Sequence, residues 1–170
     1  MVLVLLFSRA VSQKEHQCLL VRISGTENVP GIVGMGKALE IAKREMEPEA
    51  KRHSEWTQRM RLEFENKLAA QLNGHPVDRL PHNLNMYFNG VDAKALIQLL
   101  SRDLAVSAGS ACTTKEVEPS HVLIALGFPP ERAYSSIRFG LGRFNTEEEI
   151  DFAIEVVKKG VNRLRKIRTT

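Results

Sequence analysis

Two side chains in this sequence are suited to chemistry and stand where their neighbours leave them accessible: Cys112 and Arg138. Cys112 ends the run Val106-Ser107-Ala108-Gly109-Ser110-Ala111-Cys112, followed by Thr113-Thr114. Small residues let a backbone move and let a large partner approach the sulfur, whereas a packing cysteine is more at home inside an apolar run. The residues alone admit a nucleophilic thiol or an inert turn cysteine, because reactivity depends on a thiol pKa set by the surroundings. Arg138 lies in Ser135-Ser136-Ile137-Arg138-Phe139-Gly140, where alternation turns Ile137 and Phe139 to a core and Ser136 and Arg138 to the other face. Its guanidinium can hold a planar, two-oxygen acceptor, but the residues by themselves favour a surface salt bridge. Arg143, beside Gly142, reads as structural.

The elements that position these residues follow from periodicity. From Gly31, Ile32, Met35, Leu39, Ala42 and Met46 recur at three- and four-residue steps, the mark of one buried helix face. Pro48 is expected to end or kink that helix, giving helices over 31–47 and 49–72. The second carries Trp56, Met60, Phe64, Leu68 and Leu72 as a core stripe. Asn83 to Phe88 alternates as a half-buried strand, Asp92 caps a helix with Leu96, Ile97, Leu99 and Leu100, and Leu104 to Val106 reads as a short strand. A short helix through Val122, Leu123 and Leu126 stops at Gly127. Thr146-Glu147-Glu148-Glu149 is a capping box opening a last helix with Ile150, Ile154, Val157, Val161 and Leu164 inward. Few strands separated by helices predict an α+β fold, a two-layer sandwich with a small, mostly antiparallel sheet.

Composition sets the limits. A length of 170 residues, 43% apolar and 26% charged, suits one globular domain and is small for an enzyme carrying its own cofactor site. Much of the +4 net charge lies between Lys158 and Arg168, where cations complement a helix C-terminus. No aromatic interleaving turns this stretch towards nucleic acid. The two cysteines, Cys18 and Cys112, lack CxxC spacing, which argues against a disulfide framework or a metal site and fits a reducing, cytoplasmic setting. The apolar start, Met1 to Phe7, is too short to span a bilayer and lacks a basic leader, so it reads as a buried strand.

Four separate motifs resemble one family. They are Ser24-Gly25-Thr26-Glu27-Asn28-Val29-Pro30-Gly31, the run ending at Cys112, Glu118-Pro119-Ser120, and Ser135 to Phe144. In order and spacing they look like the cysteine desulfurases of the NifS and IscS type, within the class V pyridoxal-phosphate aminotransferase superfamily. The resemblance implies that 24–170 is a desulfurase-like C-terminal domain, including the small domain of a fold-type I enzyme, behind a divergent segment, 1–23. It implies that Cys112 attacks the sulfur of a cysteine–pyridoxal adduct and becomes a persulfide, which passes to a scaffold or carrier protein for iron–sulfur cluster or thio-cofactor assembly. Arg138 matches the arginine that holds the substrate α-carboxylate. Thr26 matches a residue reaching the cofactor phosphate of the neighbouring subunit, and a plain helix N-cap is its other reading.

The resemblance also has a gap. The family's cofactor lysine, its ring-stacking histidine and the aspartate pairing the pyridine nitrogen belong to a large domain whose segments do not occur here. Residues 1–23 look foreign to the family, as if a shortened gene had gained a new start. Schiff-base chemistry needs a lysine at the cofactor aldehyde, so these 170 residues are expected to bind no pyridoxal phosphate and turn over no cysteine by themselves. The alternatives are a non-enzymatic persulfide carrier or interaction module, charged by an intact desulfurase, and a folded relic. A domain separated from its larger partner exposes apolar surface, which predicts a homo-oligomer, a dimer in the simplest case. The 49–72 helix and the apolar start are the expected contacts. No membrane and no nucleic-acid partner are expected.

Overall fold

The structure is a computed structural model that describes residues 28–108 and 119–169. The chain divides into two units, Met1–Met46 and Glu47–Thr170. A single helical element, α1 (Val29–Leu68), includes residues of both.

Within the first unit, Asn28 is the N-cap: its Oδ1 accepts from Gly31 N at 3.0 Å and its carbonyl from Ile32 N at 3.0 Å. The capping role weighed for Thr26 is thus filled by Asn28. The stripe expected to be buried is open instead, with Ile32, Met35, Leu39 and Met46 all exposed among the described residues. Periodicity identifies the apolar side of a helix, but not what covers it.

Pro48 does not end the helix, contrary to the expected division into 31–47 and 49–72. An interior proline removes one backbone donor and crowds the preceding turn, yet Glu, Lys, Arg and Ala on both sides are strong helix formers. The helix stops at Leu68, four residues early. Ala69 takes a left-handed conformation at φ 50°, and Ala70 N donates back to Phe64 O, six residues earlier, at 3.2 Å, closing the end of the helix. Leu72 therefore leaves the helical stripe and joins β1 (Gln71–Leu72).

The second unit is the two-layer α+β arrangement. Strands β1, β2 (Asn83–Tyr87) and β3 (Ser136–Gly140) form an antiparallel sheet in the order β1-β2-β3, with Leu84 facing Phe139, Asn85 facing Arg138 and Met86 facing Ile137. The helices α2 (Ala93–Leu100) and α5 (Glu147–Thr169) pack their apolar faces with α1 on one side of it. Met60, Phe64 and Leu68 of α1, Leu96 and Leu100 of α2, and Ile150, Ile154, Val157 and Val161 of α5 meet Leu84, Met86, Ile137 and Phe139 in one core. At its centre Phe64 stands 5.7 Å from Phe88 and 5.4 Å from Phe139, ring centre to ring centre, separations at which aromatic pairs attract beyond simple burial. Gly160 lets α5 approach α2 closely: a β-carbon there would lie 2.9 Å from Leu96 Cδ1.

The caps follow their sequence signals. Asp92 Oδ1 accepts from Ala95 N at 2.7 Å, and Thr146 and Glu149 close their box reciprocally at 3.3 and 3.1 Å. Two short helices, α3 (His121–Ala125) and α4 (Pro130–Tyr134), precede β3. The second was not anticipated, although Pro130 at its first turn is a start signal. The basic end of α5 has a structural use: Arg165 donates to Leu68 O at 2.8 Å and to Asn89 O at 2.9 and 3.1 Å, capping the C-terminus of α1 from a distant part of the chain.

Candidate functional site

Arg138 occupies the middle of β3, where Ile137 and Phe139 on either side are buried and its own side chain is exposed. Both edges of this residue are tied. On one side it faces Asn85 of β2. On the other it forms an isolated antiparallel bridge with Ser107, Arg138 N donating to Ser107 O at 2.7 Å and Ser107 N to Arg138 O at 3.2 Å. Its Nε also donates to Ser107 Oγ at 3.2 Å. The strand expected over Leu104 to Val106 reduces to this one bridge, with Leu104 and Val106 half-buried against the core. Backbone and side chain together fix the base of the arginine and leave its guanidinium facing water.

A polar network lies on the same face of the sheet. Ser136, expected to be open beside Arg138, is buried. Its hydroxyl donates to Arg132 O at 2.6 Å and accepts from Asn73 Nδ2 at 2.8 Å. Asn73, also buried, gives its other amide proton to Asn85 Oδ1 at 2.8 Å and accepts from Arg132 Nε at 2.7 Å. Arg132 donates further to Gln71 Oε1 and Leu72 O, each at 2.9 Å, and its guanidinium carbon lies 4.1 Å from the centre of the Phe128 ring. Every polar atom of the Asn73 side chain is thereby satisfied, and Asn85, the residue opposite Arg138, is held in place. Sequence reasoning singled out none of Asn73, Asn85, Ser107 or Arg132 as site residues. Only the alternating asparagines of β2 hinted that this face is polar.

Arg143 is structural, as expected: its Nε bonds Glu49 Oε1 at 2.5 Å, while its carbonyl accepts from Arg52 at 3.0 Å. Cys112, Cys18 and Thr26 lie outside the described residues. The structure thus places Arg138 and leaves its juxtaposition with Cys112 and Thr26 undescribed.

The known proteins that this chain resembles fall into one class. The aminotransferase class-V family profile matches residues 10–152, and the chain belongs to that family. The match begins inside the segment 1–23 that looked foreign. More particularly, the chain is similar to curated proteins named cysteine desulfurase IscS. It is 50% identical over 145 residues to the one from Anaeromyxobacter sp. (strain K). It is 51% identical over 142 residues to that of Pseudomonas syringae pv. tomato. These matches cover 85% and 84% of this chain but 36% and 35% of the relatives, so the chain spans about a third of their length. Among solved structures, a NifS-like protein superposes with a TM-score of 0.71 at 32% identity, covering 82% of this chain and 35% of that one.

The family is pyridoxal-phosphate-dependent. A site for that cofactor needs a lysine for the aldehyde and cationic or backbone donors for the phosphate. A cavity of about 510 Å³ opens beside residues 103–106, walled by Met60, Leu104, Val106 and Phe139. Its lining contains no lysine or arginine and includes the carboxylates of Asp103 and Glu149, which would repel a phosphate. This cavity by itself does not fit the cofactor.

Proposed function

We propose that this polypeptide is the C-terminal part of a cysteine desulfurase, with residues 24–170 as its desulfurase-like domain, and that it supplies the substrate-binding arginine and the sulfur-accepting cysteine. Arg138 binds the α-carboxylate of L-cysteine, and Cys112 takes up the sulfur as a persulfide for onward transfer. The supporting observation is the bridge between Arg138 and Ser107. It orients an exposed guanidinium, and Ser107 opens the run of small residues that leads to Cys112 five positions on. Five residues of extended chain reach at most about 18 Å, so the thiol is tethered to the neighbourhood of the carboxylate site.

The lysine that anchors the cofactor lies outside these 170 residues, and with it the phosphate site to which Thr26 contributes. The 170 residues alone therefore turn over no cysteine. The working protein is a homo-oligomer in a cytoplasmic setting, delivering sulfur to a scaffold or carrier for iron–sulfur or thio-cofactor assembly. The test is sulfide release from cysteine with pyridoxal phosphate and a reductant. None above the uncatalysed rate is expected from the chain alone, and turnover is expected when the missing portion of a relative is supplied. Turnover by the isolated chain would overturn the reading.

A second reading, a persulfide carrier without its own catalysis, draws support from the acidic, lysine-free cavity beside residues 103–106. Incubation with an intact desulfurase and cysteine, followed by intact-mass measurement, separates the two. A single sulfur added at Cys112 supports the carrier, and an unchanged mass removes it.

A further inference from the structure

A cleft away from the Arg138 face holds a guanidinium without an anion. The segment after β1 is exposed from Gly74 to Asp78 and again at Leu80, with Val77 and Leu80 standing largely in water. Arg79 alone among these residues is half-buried. Apolar side chains turned out and an arginine turned in reverse the usual preference. The turn is held against α1 by Thr57 Oγ1, which donates to Pro81 O at 3.1 Å. Arg79 Nη2 donates to the carbonyl of Asn83. Among the described residues no carboxylate forms an ion pair with it.

Arg79 lines a cleft of about 420 Å³ with Ser54, Thr57, Gln58 and Pro76. A smaller recess of about 20 Å³ shares Thr57, Gln58, Pro76 and Arg79 and adds Arg61. Burial and the like charge of Arg61 both push the Arg79 pKa below its ordinary value, the condition of a cation lacking compensation. Arg61 has one carboxylate, Glu65, at 2.8 Å. Glu55 also lines the larger cleft but makes no ion pair with Arg79. Ser54 and Gln58 make no side-chain hydrogen bond among the described residues, so a hydroxyl and an amide remain available as donors. Partly desolvated charges in proteins are normally paired.

We propose that this cleft binds a phosphate-type oxyanion, with Arg79 as its principal ligand and Arg61, Ser54 and Gln58 completing the donor set. A tetrahedral oxyanion presents acceptors in several directions, which suits donors coming from both the 76–81 segment and the flank of α1. The volume lies within the range of small-molecule sites, so the phosphate is either free or the headgroup of a small monoester. The site is independent of the desulfurase reading, since it uses neither Cys112 nor Arg138.

The test is titration of the full chain with inorganic phosphate at constant ionic strength, read by calorimetry and by amide chemical shifts, with phenyl phosphate and acetate as parallel arms. Saturable phosphate binding is expected, with shifts centred on Ser54, Gln58 and Arg79. Arg79→Gln should weaken it at least about tenfold, a loss consistent with a charge-assisted contact. Arg61→Gln, which lies on the helix surface, should weaken it about threefold and decides the matter if the Arg79 variant does not fold. Tighter binding of phenyl phosphate identifies a monoester, and tighter binding of inorganic phosphate a free ion. Non-saturable shifts, affinity unchanged by either folded variant, or acetate binding as tightly as phosphate would overturn the proposal.

Discussion

Ser107 and Arg138 hold one another twice, through paired backbone hydrogen bonds of 2.7 and 3.2 Å and through a side-chain bond from Arg138 Nε to Ser107 Oγ at 3.2 Å. The side-chain bond sets the direction of the guanidinium, and the backbone pair fixes Ser107, five positions before Cys112, to the edge of β3.

Replacing Ser107 with Ala keeps the backbone bridge and removes the side-chain tether. In a reconstituted desulfurase the expected result is a KM for cysteine raised about threefold, near the lower range for one exposed hydrogen bond. Arg138→Gln, which removes the charged donor, should lower kcat/KM about 100-fold. Steady-state kinetics on both variants check the order. An Arg138 variant with unchanged KM and kcat would remove the carboxylate role.

Asn73→Ala should lower folding stability by about 1–3 kcal/mol, because it removes the donor to the buried Ser136 hydroxyl and the acceptor of Arg132 Nε, leaving each with its remaining partners only. Urea denaturation should show an earlier midpoint at an unchanged slope. A loss below about 0.5 kcal/mol would mean that water replaces the amide without cost.

Phe64→Ala empties the space between Phe88 and Phe139. With Phe64 fully buried, the expected loss is about 3–5 kcal/mol, transfer and cavity contributions together. Thermal unfolding measures it, and near-ultraviolet circular dichroism should lose aromatic signal in parallel.

Glu149 carries a pH dependence. Its carboxyl is held below its ordinary value of 4.5, first by the bond from the Asn145 side chain and next by the Thr146 backbone N–H. The folded state therefore favours the ionised form. This stabilisation is complete above the ordinary value and is lost as pH falls through the lower, folded one. As pH falls below the ordinary value of 4.5 the wild type should lose stability more steeply than Glu149→Gln. Parallel curves would show that the box contributes through its hydrogen bonds alone.

Much of the fold was legible in the chain because it rests on local rules. Asp92 and Thr146 cap where short polar side chains precede apolar periods, and Ile137 and Phe139 face inward because strand side chains alternate. Leu72 lies four residues from Leu68 and so continues a helical stripe in the sequence, whereas the left-handed Ala69 turns the chain before it. Pro48 stays inside a helix because the strong helix formers around it outweigh the local penalty of proline.

By itself the sequence determined the kinds of element, the family motifs and the exposure of Arg138, since each depends on residue types within a few positions. Tertiary structure alone decided that Ser107 would bridge Arg138, that Asn73 would join Asn85 to Ser136 and Arg132, and that Arg165 would cap a helix ending 97 residues earlier. These pairings join residues distant in the chain, and their geometry follows from strand register and helix packing, which no spacing in the sequence encodes.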